Sequence, residues 1–224
     1  MSDDAKYLNL AKDLLAPVRN AGSVIMDIHR CGVIADMKSD GSPVTEADHA
    51  AEQILLAALG KFAPDITVIS EENAVSHSIA PQDRFFLVDP LDGTKEFIQP
   101  EGAGAFTVNI GLIEKGVPVM GIVFAPALDR MFYGVQNHGS FEISVQHEAR
   151  LRVRETPATV TAIASRSHPN KTTDDWLQSQ GITQISNIGS SLKFCLLAAG
   201  EADVYPRFGP TMEWDSCAGD AILR

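Results

Sequence analysis

The run Phe85-Phe86-Leu87-Val88-Asp89-Pro90-Leu91-Asp92-Gly93-Thr94 sets two carboxylates, a proline, a glycine and a hydroxyl at the end of an apolar stretch. Such a stretch reads as a buried strand, and Pro90 has no N–H with which to continue a ladder, so Asp89 is expected at the strand's exit. Asp92 follows within one tight turn. Gly93 permits backbone angles closed to other residues, and the Thr94 hydroxyl suits the start of a helix over Lys95-Glu96-Phe97-Ile98. The turn therefore gathers oxygen ligands. Carboxylates, a backbone carbonyl and water are what a hard cation such as Mg²⁺ takes, and crowded carboxylates repel one another unless a cation or a proton intervenes. The plainer alternative is a surface Asx-turn capping a helix.

Two remote segments bring further acids to the ends of elements. Ile66-Thr67-Val68-Ile69-Ser70-Glu71-Glu72-Asn73 is a β-branched run ending in a glutamate pair. Thr211-Met212-Glu213-Trp214-Asp215-Ser216 places an aspartate where a helix could start. Taken singly, either is ordinary dipole complementation or a solvated edge. Taken together and in this order, Glu71-Glu72, Asp89-Pro90-Leu91-Asp92-Gly93-Thr94 and Trp214-Asp215 resemble the Mg²⁺-dependent, lithium-sensitive inositol monophosphatase superfamily. The block Lys38-Ser39-Asp40-Gly41-Ser42-Pro43-Val44-Thr45-Glu46-Ala47-Asp48 is similar to the loop before that family's second long helix, so the likeness spans nearly the whole chain. Ser165-Arg166-Ser167-His168, Gly189-Ser190-Ser191-Leu192-Lys193 and Asp203-Val204-Tyr205-Pro206-Arg207-Phe208 look most like the bacterial 3'(2'),5'-bisphosphate nucleotidase branch, the CysQ type.

The resemblance implies a site for two or three Mg²⁺ ions. Glu71, Asp89 and the Leu91 carbonyl would hold one, Asp89, Asp92 and Asp215 a second, with Asp89 bridging. Asp40 would support a third through water and, with Thr94, orient the attacking water that Glu71 helps to deprotonate. Glu72 is expected behind the ligands or in solvent, because neighbours on an extended segment point to opposite sides. Gly93, Thr94 and Asp215 would also line the substrate site. Ser190 and Lys193 would meet a phosphate, His168 and Arg207 the nucleotide phosphates, and Tyr205 the nucleoside. Read without the resemblance, Ser190-Ser191 is an ordinary serine cap, Lys193 a solvated lysine, and His168 and Tyr205 surface or packing residues.

Composition suits an ordinary globular enzyme: 224 residues, 45% hydrophobic and 21% charged. A formal charge of −11 argues against a binder of nucleic-acid polymers, which needs a basic face. It leaves room for a small phosphorylated nucleotide held by local cations. The start, Met1-Ser2-Asp3-Asp4-Ala5-Lys6, lacks the regions of a signal peptide, and no apolar stretch approaches the roughly 18 residues of a membrane span, so a cytoplasmic address is expected. Cys31, Cys195 and Cys217 form no C-x-x-C pair and read as reduced packing thiols. The resemblance allows a homodimer, although no exposed apolar stripe in the sequence argues for one.

The elements that must position these residues follow from periodicity. Residues 7–30 carry Leu8, Leu15, Val18 and Ile25 at helical spacing, with Pro17 as a site for a kink, and Thr45 or Asp48 precedes a second helix through Leu59, ended by Gly60. Strands are expected over 66–70, 84–88, 106–114, 118–124, 130–136 and 141–145, the later ones as an antiparallel meander. Residues 159–164, 174–180, 183–185, 191–199 and 202–205 read as strand, helix, strand, helix, strand, which suggests an N-terminal α+β half over 1–147 and an α/β half over 148–224. The resemblance implies a layered αβαβα arrangement with the active site between the halves. It also implies several tens of residues beyond the Trp214-Asp215 helix, so the second half is expected to be truncated at Arg224. The expected activity is Mg²⁺-dependent removal of the 3'-phosphate of adenosine 3',5'-bisphosphate, a by-product of sulfur assimilation. An inositol monophosphatase or sugar-bisphosphatase shares the metal motifs, and a non-catalytic phosphate-sensing protein is the rival of another class.

Overall fold

The computed structural model describes residues 3–33, 35–38, 43–80, 82–99, 105–144, 147–167 and 169–224. Helix α1 (Asp3–Cys31) runs unbroken through Pro17. Its buried stripe is Tyr7, Ala11, Leu14, Val18, Ala21 and Ile25, spaced by three and four residues. Leu8 and Leu15, expected in that stripe, flank it half-buried. After the hairpin β1 (Ala35–Met37) and β2 (Pro43–Thr45), Thr45 caps helix α2 (Glu46–Phe62). The Thr45 hydroxyl accepts from the Ala47 N–H, and the Asp48 carboxylate reaches back to the Thr45 N–H. Gly60 does not end this helix, which continues one half-turn further to a cap in which the Ala63 N–H bonds the Leu59 carbonyl at 2.8 Å. Local hydrogen bonding at the terminus outweighs the small cost of a solvent-facing glycine.

Strands β3 (Thr67–Ser70), β4 (Arg84–Asp92), β5 (Thr107–Glu114), β6 (Val117–Ala125), β7 (Arg130–Val135), β8 (Gly139–Ser144) and β9 (His147–Arg150) form one sheet in sequence order. Strand β3 pairs β4 in parallel, and the rest is the expected antiparallel meander. The His-Glu-Ala-Arg edge strand β9 was not expected, since its charged sequence carries no alternation, and the expected residue Val145 lies outside the described residues. Pro90 does not end β4. Pairing with β5 is regular to Asp89 opposite Asn109 and resumes with Asp92 opposite Thr107, so an irregularity absorbs the missing N–H. Short helix α3 (Thr94–Phe97) follows.

Helices α1 and α2 cover one face of this sheet, sharing a core with Phe86, Val88, Val108, Ile110, Ile122 and Tyr133. On the opposite face lie α5 (Leu192–Ala198) and α6 (Glu213–Leu223), which pack with Val123, Ala125 and Phe132. Three glycines bring α6 close: Gly111, Gly121 and Gly134 are partners across β5, β6 and β7. A Cβ on Gly121 would stand 2.1 Å from the Ala218 carbonyl oxygen, and one on Gly111 2.3 Å from Cys217 Sγ. The stripe is therefore a flat bed on which the helix lies. Beyond it, β10 (Thr161–Ser165) and β11 (Gln184–Ile188) pair in parallel through the crossover helix α4 (Lys171–Ser179). The expected last strand reduces to one bridge between Ala162 and Val204. Cys195 and Cys217 are buried packing thiols as expected, whereas Cys31 is exposed at the end of α1.

Candidate active site

Three elements deliver acids to one point. Asp89 sits in the β4 irregularity, 1% exposed, with one oxygen accepting the Leu91 N–H at 3.1 Å and Oδ2 buried with no hydrogen-bond partner among the described residues. Ligand atoms of Asp89, Asp92 and Asp215 lie within 4.8 Å of one another. Burial raises the Asp89 carboxyl well above its usual range, and Glu71, Asp92 and Asp215 add repulsion. Asp92 is pushed up to about 7 by burial and then by Asp215, against the opposing pull of Lys193 and the Ser191 N–H. Four convergent acids and an orphaned inner oxygen fit a multivalent hard cation, which removes the repulsion and satisfies the oxygen.

Each acid is aimed by backbone. The Glu71 N–H donates to the Val88 carbonyl at 3.0 Å, tying the turn after β3 to β4. Asp215, in the first turn of α6, accepts from the Thr211 hydroxyl at 2.8 Å and the Met212 N–H at 3.0 Å. Lys38 Nζ bridges Glu71 at 2.9 Å and Glu72 at 2.6 Å. Burial would pull its ammonium down, but the two carboxylate bonds outweigh this and hold it above the usual lysine range. Glu72 does lie behind the ligands, but not for the expected reason. Residues 71 and 72 stand in a turn past the strand end, so both carboxylates converge on one lysine instead of diverging.

Beside the acids, Thr94 Oγ1 lies 3.3 Å from Asp48 Oδ1 and 3.1 Å from the Leu91 carbonyl. Gly93, at φ 91°, supplies the left-handed turn that sets Thr94 there and takes the helix cap expected of Thr94. Asp48 is fully buried. Burial raises its pKa against the Thr45 hydroxyl and N–H and the Lys38 charge, which lower it. Sequence reading assigned Asp48 no place in the site; the available signal was the capping pattern Thr45-x-x-Asp48, which places the aspartate inside α2, while Asp40, which was assigned one, lies outside the described residues.

The opposite wall is basic and hydroxylic. Lys193 is 3% exposed, donates to the Ser190 carbonyl and stands 5.2 Å from the Tyr205 ring centroid. Burial, only partly opposed by Asp92, pulls it down to about 8. Arg207 donates to the Tyr205 hydroxyl at 3.2 Å and the Pro210 carbonyl at 2.7 Å, and its Nε is buried with no hydrogen-bond partner among the described residues. The Ser191 N–H donates to Asp92 at 2.6 Å and its hydroxyl to Asn109 at 2.7 Å, so Ser191 ties the two walls together and Ser190 is the serine left facing the cavity. Glu96, also unassigned from sequence, is buried and accepts from the Ser167 hydroxyl.

Glu71, Asp92, Gly93, Thr94, Ser190, Lys193, Tyr205, Arg207 and Asp215 all line one cavity of about 290 Å³. Asp89 and Leu91 lie buried at its base, and His168 lies outside the described residues. The sequence matches the inositol monophosphatase family over residues 9–224. It is 46% identical to the 3'(2'),5'-bisphosphate nucleotidase CysQ of Salmonella typhimurium, covering 91% of this chain and 82% of that protein. The CysQ nucleotidase of Buchnera aphidicola is 40% identical over 92% and 77% of the two chains. A crystal structure of CysQ from Bacteroides thetaiotaomicron, a bacterial member of the same family, superimposes with a TM-score of 0.78 at 34% identity, covering 95% and 84%. With the acids of three elements gathered on one strand end and the match running from α1 to the last residue, the chain belongs to the inositol monophosphatase family.

Proposed function

We propose that this chain is a Mg²⁺-dependent 3'(2'),5'-bisphosphate nucleotidase that removes the 3'-phosphate of adenosine 3',5'-bisphosphate, yielding AMP and inorganic phosphate. The observation that carries the reading is the carboxylate cluster with its orphaned Asp89 oxygen, set beside the Thr94 and Asp48 pair. The Asp89 Oδ2, the remaining carboxylate oxygens of Glu71, Asp92 and Asp215, and the Leu91 carbonyl are the donors available to two ions. Bound there, Mg²⁺ supplies charge that lowers the pKa of water and neutralises the transferring phosphoryl group.

The chain's own groups do the rest. The Thr94 hydroxyl donates to Asp48 and thereby turns its lone pairs toward the cavity, where they accept from and orient the attacking water. Asp48, buried and held by Thr45, fixes that geometry. Lys193 and Arg207 line the opposite wall, where their charge meets an anionic substrate, and the Tyr205 ring offers an apolar surface to the nucleoside. Lys193, pulled down to about 8, still carries its positive charge at neutral pH and adds it to that wall.

Phosphate release from adenosine 3',5'-bisphosphate and from inositol 1-phosphate, each with Mg²⁺, with chelator and with Mg²⁺ plus lithium, tests this reading. Preference for the nucleotide, abolished by chelator and reduced by lithium, is expected. Preference for inositol 1-phosphate would overturn the substrate assignment, and turnover unaffected by chelator would overturn the metal assignment.

A further inference from the structure

The turn carrying Glu71 is closed by bonds of its own. The Asn73 N–H donates to the Ser70 carbonyl at 3.1 Å, the Ser76 hydroxyl to the Asn73 carbonyl at 2.6 Å, and the Ser70 N–H to Ser76 Oγ at 3.1 Å. His77 Nε2 lies 2.9 Å from the same Ser70 carbonyl, which fixes the direction of its ring. That ring stacks on Trp214, with centroids 5.0 Å apart and planes inclined by 25°. Trp214 also packs, with Ile69 and Phe85, against a small buried cluster of Leu87, Ile113 and Cys217. Trp214 immediately precedes Asp215, and Ser70 immediately precedes Glu71.

We propose that the His77–Trp214 stack is a positioning clamp for the metal site, holding the Glu71 turn against the start of α6 and so fixing the separation of two acids remote from each other in sequence. This rests on the metal reading above. Glu71 and Asp215 both repel the central Asp89, so the elements that carry them are under electrostatic pressure to part before a cation binds. A cationic side chain that held them together would occupy ligand oxygens, as Lys38 does on Glu71. Two stacked rings supply attraction without using any carboxylate oxygen. The clamp therefore keeps the acids at metal-binding separation and leaves their oxygens available.

The experiment is Mg²⁺ binding to the parent, His77→Ala and His77→Phe, followed by isothermal titration calorimetry without substrate, alongside KM for the nucleotide at saturating Mg²⁺. His77 is exposed, so its truncation removes no core packing. Loss of one ring contact is expected to weaken Mg²⁺ binding about three- to tenfold in His77→Ala. The phenylalanine, which restores the stack but not the bond to Ser70, is expected to recover most of it, and KM is expected to stay near the parent value. Parental Mg²⁺ affinity in His77→Ala, or equal weakening in both variants, would overturn the clamp while leaving the metal reading intact. A parent that binds no Mg²⁺ would overturn the metal reading and the clamp with it.

Discussion

On one wall of the cavity Asp89 and Asp92 hang from the irregular end of β4, with Glu71 and Asp215 brought beside them, and charge of one sign accumulates beyond what the protein neutralises. On the other, Lys193 and Arg207 come from the C-terminal segments and line the same cavity. The acid wall is built from strand ends and caps, where backbone fixes each carboxylate; the basic wall is built from longer side chains braced on one another and on carbonyls. On the proposed reading the acid wall would take cations, which relieve its repulsion, whereas the basic wall would receive an anion. On the same reading, the substrate's phosphate would lie between them, attracted from both sides once cations are bound.

Replacing Asp89 by Asn should have the largest effect. Outer-sphere partners of a metal typically cost 10–100-fold, so loss of a carboxylate proposed to hold the ion directly is expected to lower Mg²⁺-dependent turnover by more than about 100-fold. The same variant should melt at a higher temperature than the parent in chelator, because a neutral amide replaces a buried repelled carboxyl. Lower stability without metal would contradict the picture of stored repulsion. Thr94→Ala comes next. Removing a water-orienting hydroxyl is expected to reduce kcat about 100-fold while Mg²⁺ affinity holds, and Asp48→Asn should move kcat in the same direction. A change confined to Mg²⁺ affinity would instead make Thr94 part of the metal wall.

Lys193→Ala tests the basic wall: KM for the bisphosphate should rise about tenfold with a smaller change in kcat, consistent with loss of one charge-assisted bond. An unchanged KM would remove Lys193 from the substrate. The smallest effect concerns pH and has opposite signs on the two walls. Asp92 keeps its proton to about 7 in the folded metal-free protein, against 3.8 for an ordinary aspartate, so between those values the folded state holds the extra proton. Stability in chelator should therefore fall as pH rises from about 4 to 7. Lys193, pulled down to about 8 from 10.5, leaves the unfolded chain holding more protons in that window, so its contribution recovers as pH climbs through it. Saturating Mg²⁺ should flatten the acidic slope, because the ion replaces the proton. Melting curves across pH with and without Mg²⁺ measure both.

The sequence by itself determined the central segment of the acid wall and most of the fold. Asp89, Asp92 and Thr94 lie on one short segment, so local geometry places them together, and the capped helices and the antiparallel meander follow from periodicity and short turns. No local rule could say that Pro90 would be absorbed inside β4, because the pairing with β5 that tolerates it belongs to the sheet. Glu71 and Asp215 were legible as acids at element ends, but their approach depends on the glycine bed of β5, β6 and β7, which lets α6 lie against the sheet. Isolated glycines inside three strands were the available signal. Asp48 stayed hidden because its local role as a helix cap accounts for it fully, and only the approach of Thr94 from 46 residues away gives it a second one. Spacing along the chain can specify which groups a segment presents; the contacts that give those groups a common purpose are made between segments and exist only once the layers have packed.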